Sequence, residues 1–301
     1  MIHNLSIVRT ALPRINLRPI YTLTARWRSL RTLEDGSLHT FRDNAFIPSK
    51  PALLPKAHFI ALPSIQKWFR TTQDGTGGVA LNYSHLSKFG DAIVPLEFTR
   101  LSTASAANQY EDSFQRADVP LYIFLEWTKS ASRETSERLY LAQASFSNLP
   151  EALKVDLPTP EIVANSGIGD IYDTNIWMGI PPTYTPLHRD PNPNLFVQLA
   201  GHKIVRILPP EIGDKVFEQV QNALGRSGSA AFRGEDMMKG EEMRLLEDQV
   251  WNDTSVLDEA GEGGYEAHVG RGDGLFIPKG WWHSVKGVDD GITGSVNWWF
   301  R

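Results

Sequence analysis

Residues 185–203 read TPLHRDPNPNLFVQLAGHK, and the strands on either side of its Gly turn set the fold. NLFVQLA and the following HKIVRILP are short apolar runs separated by Ala200-Gly201, the pattern of two strands. A two-residue hairpin there would pair Gln198 with Lys203 and Asn194 with Ile207. Directly paired residues share a face, so Asn194, Phe196 and Gln198 are expected beside Lys203 and Val205. A Lys on an inner face is a buried cation, costly unless an anion meets it. Just upstream, His188 and Asp190 stand at i and i+2, and on a strand both point the same way.

Further strand-like runs follow the same rhythm. They are NIWMGI (175–180), YEAHV (265–269), GLFIP (274–278), WWHSV (281–285) and GSVNWWF (294–300). Many short strands broken by Gly and Pro predict a sandwich or barrel. The earlier half reads as mixed. NAFIPSKPALLP (44–55) predicts a strand entry and a Pro-bounded turn, and LPSIQKWF (62–69) a helical start. AIVPLEF (92–98), VPLYIFLEW (119–127) and RLYLAQ (138–143) predict strands, and residues 148–165 a short helix. One long interruption, 211–264, holds thirteen acids and five bases. Two amphipathic helices are expected near it, PEIGDKVFEQVQNAL (210–224) and GEEMRLLEDQVW (240–251). The interruption is expected to form a lid, a partner surface or a solvated excursion.

The chain has 301 residues, 41% hydrophobic and 22% charged, with 9 Trp, 14 Phe and 8 Tyr to fill a core. It contains no Cys, which excludes disulfides, thiolate ligands and Cys nucleophiles. No run of 18 apolar residues exists to cross a membrane as a helix. Residues 1–32 carry six Arg and no acid, leaving 24 bases against 35 acids, a net of −11, in the remainder. That remainder argues against an extended nucleic-acid surface. The basic 1–32 segment has the composition of a mitochondrial transit peptide, with cytoplasmic or nuclear residence as the alternative. Residues 33–301 are expected to form one domain.

With no thiolate available, a metal must be held by His and carboxylate. His188 and Asp190 supply two donors, and His283, on a neighbouring predicted strand, completes a facial triad. About one His-x-acid match arises by chance in a chain of this composition, so the joint arrangement carries the reading. His3, His39, His58, His85, His202 and His268 are expected to be structural, and Trp281 and Trp282 to pack in the core.

TPLHRDPNPNLFVQLAGHKIVRILPP and GDGLFIPKGWWHSV…GITGSVNWWF resemble the two halves of the JmjC, or cupin-like, Fe(II)- and 2-oxoglutarate-dependent oxygenases. The nearest flavour is the asparaginyl hydroxylase that modifies hypoxia-inducible factor. The resemblance implies a mainly β fold with flanking helices, the double-stranded β-helix or jelly-roll barrel. It implies Fe(II) on His188, Asp190 and His283, and Lys203 paired with the distal carboxylate of 2-oxoglutarate, helped by Thr185 and Tyr140. Asn194, Asn297 and Trp299 would line the same pocket. The implied activity is hydroxylation of a protein side chain with dioxygen, releasing succinate and CO2. Rivals are an RNA-base or small-molecule hydroxylase, a lysine demethylase, a metal cupin without an oxo acid, and a silent barrel acting as a binding module. The charge of 211–264 favours a basic polypeptide partner. The oligomeric state is open, because the chain stops at Arg301, before the helices through which some relatives dimerise.

Overall fold

A computed structural model describes residues 27–72, 78–100, 113–132, 134–226, 240–252 and 263–301. The described strands, in chain order, are β1 (Arg28–Ser29), β2 (Ala52–Leu53), β3 (Phe69–Thr71), β4 (Val79–Leu81) and β5 (Ile93–Arg100). There follow β6 (Ser113–Pro120), β7 (Glu137–Ser145), β8 (Ile171–Gly179), β9 (Thr183–Arg189) and β10 (Asn194–Ala200). The last are β11 (Lys203–Leu208), β12 (Tyr265–Val269), β13 (Gly274–Ile277), β14 (Trp282–Gly287) and β15 (Thr293–Phe300). The larger sheet runs β2-β13-β10-β15-β8-β7-β5-β6, and the smaller runs β1-β12-β11-β14-β9. The fold is mainly β with flanking helices, two facing sheets in the manner of a jelly roll.

β10 and β11 do not pair, contrary to the hairpin expectation. β10 lies between β13 and β15, and β11 between β12 and β14, in the other sheet. All seven residues of β10 are buried, so both faces are covered and both edges are taken. Gly201, at φ +64°, carries the chain across the sandwich instead of back along one sheet. The expected sharing of an inner face survives, because residues facing each other across two layers also meet. Lys203 Nζ stands 5.5 Å over the Phe196 ring. A Cβ at Gly201 would meet the Ile292 carbonyl at 2.7 Å and hold a left-handed φ besides. Gly201→Ala is therefore expected to destabilise the chain by about 1–3 kcal/mol, read as a lower denaturant midpoint at unchanged slope.

Three apolar layers result from strand alternation. On β15, Val296, Trp298 and Phe300 enter the large core under the helices, which also holds Phe41, Phe124 and Leu96. Between the sheets lie Leu30, Phe196, Val205, Ile207, Leu275 and Val285. Outside the smaller sheet, Leu187 and Trp282 pack with Ile212, Val216, Phe217 and Leu246.

Two local expectations are corrected. VPLYIFLEW is strand only to Pro120; Leu121–Ser130 is a helix. The run is apolar at both parities and fits either period, and burial of Leu121, Phe124 and Leu125 at i, i+3 and i+4 selects the helix. NAFIPSKPALLP does not enter as a strand. Ser37 caps a helical segment by accepting from Thr40 N (3.2 Å), the segment runs on through Phe46, and β2 begins only after Pro51. Phe41 and Ala45, at i and i+4, are its buried positions. RLYLAQ, AIVPLEF and LPSIQKWF take the predicted forms. Residues 148–165 contain two short helices, Glu151–Lys154 and Glu161–Asn165.

The domain edges also shift. Residues 1–26 lie outside the described residues, but β1 pairs in parallel with β12 and Leu30 is buried between the sheets. Trp27 receives the Arg206 guanidinium at 4.6 Å from its ring. The folded unit therefore includes Trp27 to Thr32. The acidic interruption is neither a solvated excursion nor a lid where it is described. Helices Pro210–Ala223 and Gly240–Glu247 pack on the outer face of the smaller sheet.

Candidate metal centre and anion pocket

β9 and β14 are antiparallel neighbours, and His188 stands directly opposite His283. Paired residues project on one face, so the two imidazoles lie with ring centroids 4.1 Å apart, inclined at 50°. Asp190 follows one residue after β9 ends, its carbonyl accepting from Gly280 N at 3.1 Å. One donor atom from each of His188, Asp190 and His283 lies within 4.8 Å of the others. His283 Nε2 is 3.6 Å from Asp190 Oδ2, and His188 Nε2 is 4.0 Å from Oδ1.

The surroundings orient these donors. The Pro186 carbonyl lies 2.8 Å from His188 Nδ1, and the Trp281 carbonyl 3.2 Å from His283 Nδ1. A carbonyl only accepts, which puts the proton on each Nδ1 and leaves each Nε2 lone pair facing the carboxylate. Trp299 Nε1 (2.8 Å) and Asn194 Nδ2 (3.0 Å) both donate to Asp190 Oδ2, and Asn297 Nδ2 donates to Asn194 Oδ1 at 3.0 Å. Burial pushes the His283 imidazolium down to about 4, with His188 adding to the fall while Asp190 and the Trp281 carbonyl oppose it. A neutral imidazole is the form that binds metal. His188 is the accessible member, with 24% of its side chain exposed.

A second group gathers at the start of β11. Lys203 is 2% exposed, and its Nζ donates to Ser295 Oγ at 2.8 Å and reaches Tyr140 Oη at 3.4 Å. No carboxylate among the described residues pairs with it. Burial pushes its ammonium down to about 7. Tyr140 is raised well above the usual phenol range by burial and by the nearby Glu97 charge, against a hydrogen bond with Thr183. Thr185 is half-buried on β9; its carbonyl accepts from Ser284 Oγ at 2.8 Å, and its hydroxyl bonds no described residue.

The structure thus gathers His188, Asp190, His283, Asn194, Asn297 and Trp299 in one group, and Lys203 with Tyr140 in another. Ser295 and Thr183 were not singled out from sequence. Both were legible by strand alternation, since Ser295 stands two residues before Asn297 and Thr183 two before Thr185. Of the other described histidines, four take acid partners elsewhere, His39 with Asp43, His85 with Asp156, His202 with Asp289 and His268 with Glu266, while His58 packs edge-on against the Phe59 ring at 4.7 Å. Two imidazoles and one carboxylate on one side fit a ferrous ion that keeps open positions. A buried ammonium without an acid fits the free end of a dicarboxylate.

Comparison with known proteins agrees. The model of the cupin-like domain matches residues 40–301. Lysine-specific demethylase JMJ30 of Arabidopsis thaliana is 25% identical over 300 residues, covering 97% of this chain and 60% of that protein. Jumonji C domain-containing protein 5 of Drosophila melanogaster is 25% identical over 303 residues, covering 98% and 65%. Lysine-specific demethylase 8 of Xenopus tropicalis is 25% identical over 269 residues, covering 88% and 51%. The chain therefore spans between half and two thirds of the length of these relatives.

Proposed function

The chain belongs to the cupin-like, JmjC-type family of Fe(II)- and 2-oxoglutarate-dependent oxygenases, and from that premise we propose that it hydroxylates a side chain of a protein substrate. His188, Asp190 and His283 would hold Fe(II), and Lys203, Ser295 and Tyr140 would hold the distal carboxylate of 2-oxoglutarate. When bound, the ferrous centre supplies, with dioxygen, the oxidising power that turns a substrate C–H into C–OH while the oxo acid leaves as succinate and CO2.

The chain's own part is placement and dryness. Trp299 and Asn194 hold the Asp190 carboxylate in one orientation, and the Pro186 and Trp281 carbonyls fix both imidazole tautomers. The single observation that carries the oxo-acid assignment is Lys203, a buried amine with no acid partner among the described residues. A silent barrel would gain nothing from keeping it. A macromolecular substrate is favoured by the width of the larger sheet. It has three strands more than the smaller, and β7, the first beyond β8, brings Tyr140 to Lys203. An extended polypeptide laid along that wing is the proposed mode of binding. The Gly240–Glu247 acids stand behind the opposite wall. Any preference for a basic substrate must then act through the long-range field, screened within about 8 Å at physiological salt.

A demethylating outcome is the second reading, favoured by the names of two relatives. Succinate, formaldehyde and peptide mass should be followed together for the iron-loaded chain with a peptide library. Peptide-stimulated succinate with one added oxygen and no formaldehyde supports the proposal. Formaldehyde equal to succinate supports demethylation, and peptide-independent turnover sinks a protein substrate. Residues 1–32 are part of the proposal as a mitochondrial address. A reporter fused behind them that stays in the cytosol would refute it.

A further inference from the structure

We propose that helix Pro210–Ala223 is a positioning element for the metal centre, acting through Gly213 and Asp214 on the two strands that carry the histidines. The proposal rests on reading His188 and His283 as ligands. Strand alternation makes the connection short. Leu187, Arg189 and Trp282 are the chain neighbours of His188 and His283; Leu187 and Trp282 pack in the outer core, and Arg189 meets Asp214 of its helix. Arg189 and Trp282 are direct partners across β9 and β14, one step along from the His188–His283 pair.

Asp214 Oδ1 accepts from both members of that outer pair, from Arg189 Nη1 at 3.0 Å and from Trp282 Nε1 at 3.2 Å. The Arg189 guanidinium also lies 5.2 Å over the Trp282 ring. One carboxylate thus ties the two strands together from outside, beside the point where they present imidazoles inside. Gly213 sets how closely the helix can approach. A Cβ there would stand 2.1 Å from Trp282 Cδ1 and Cγ, so the indole packs directly against the helix only where a side chain is missing. The Phe217 ring, one turn on, packs against the indole with centroids 5.4 Å apart and planes inclined at 30°. A second tie runs from the same acidic segment, where Trp251 Nε1 donates to Ser284 Oγ (2.9 Å), which donates to the Thr185 carbonyl (2.8 Å). Strands in a packed sheet move as units, so displacing Trp282 tilts His283 against His188.

Co(II) binding to the full chain tests this without turnover, because its visible spectrum reports ligand geometry. Wild type, Asp214→Ala, Asp214→Asn and Val220→Ala should be titrated and their unfolding midpoints measured. Val220 lies in the same outer core, seven residues beyond Gly213 on the helix, and carries no polar group to bond Arg189 or Trp282. Asp214→Ala is expected to weaken Co(II) binding about ten-fold and to alter the spectrum. Asp214→Asn, which keeps the Oδ1 acceptor, should recover most of the affinity. Val220→Ala should lower the midpoint at least as much while leaving affinity and spectrum as in wild type. The proposal is overturned if Asp214→Ala keeps the wild-type affinity and spectrum, or if Val220→Ala loses as much affinity as Asp214→Ala. His188→Ala separates the underlying reading, since wild-type Co(II) binding in that variant would mean the triad is not the metal site.

Discussion

Asp190→Asn is expected to lower iron-dependent 2-oxoglutarate turnover by at least about three orders of magnitude, close to 4 kcal/mol of lost transition-state stabilisation. Asn is the informative replacement because the fold has built a cradle for this side chain. Trp299 Nε1 and Asn194 Nδ2 both donate to Oδ2, and an Ala would leave two buried donors unmet. Asn keeps an acceptor in place and removes the charge that a ferrous ion needs beside two neutral imidazoles. The checks are succinate release under saturating iron and Co(II) affinity of the same preparation. A folded Asp190→Asn protein that turned over within ten-fold of wild type would end the ligand assignment. His283→Ala should behave alike, since the ring is 3% exposed and its δ-nitrogen is already committed to the Trp281 carbonyl.

Lys203→Ala is expected to raise the 2-oxoglutarate requirement by two to three orders of magnitude while Co(II) affinity stays near wild type. Removing one member of a buried charged pair costs about 2–5 kcal/mol, much of it from leaving the other charge uncompensated. Equal loss of metal and oxo-acid binding would make Lys203 merely structural. A pH dependence accompanies it. In the ligand-free chain burial holds the ammonium down at about 7, and a bound dicarboxylate raises it again. Below pH 7 the amine is already charged and affinity is flat. Above pH 7 a proton must be taken up on binding, so affinity falls by up to about ten-fold per pH unit. Calorimetry at pH 6, 8 and 9 in buffers of different ionisation enthalpy reads both the slope and the proton. Stability of the ligand-free chain runs the other way. The unfolded lysine binds the proton up to its ordinary 10.5, so folding gains as pH rises from about 7 toward that value.

The residues of the candidate site were legible because their chemistry is expensive. A Lys on a predicted inner face and a His two residues from an Asp make sense together only around charge, and the family resemblance added the Asn and Trp of the last strand. Alternation alone put Asn297 and Trp299 on one face, where they now hold Asn194 and Asp190. The same rule, applied two residues earlier, reaches Ser295 and Thr183. Apolar runs were less informative. Nothing in VPLYIFLEW distinguishes a strand buried on both faces from a helix with one buried stripe, and the large core under the larger sheet made that choice.

Order along the chain also misled at Gly201. Two strands joined by two residues usually pair, but here every edge of β10 and β11 is taken by strands distant in sequence. The acidic interruption likewise read as two amphipathic helices whose place, as lid, partner surface or solvated excursion, stayed open. Its Ile212, Val216, Phe217 and Val220 stripe became meaningful only when Leu187 and Trp282 presented an apolar outer wall. What the sequence determined by itself is the inventory: which side chains can carry metal, cation and anion chemistry, and on which strand face each one falls. Those are properties of residue type and of a two-residue period. Which strands are neighbours, which sheet faces which, and that one helix stands behind both imidazoles were decided by tertiary structure. Such choices depend on which buried edges and apolar faces remain to be satisfied, and that is known only when the whole chain has folded.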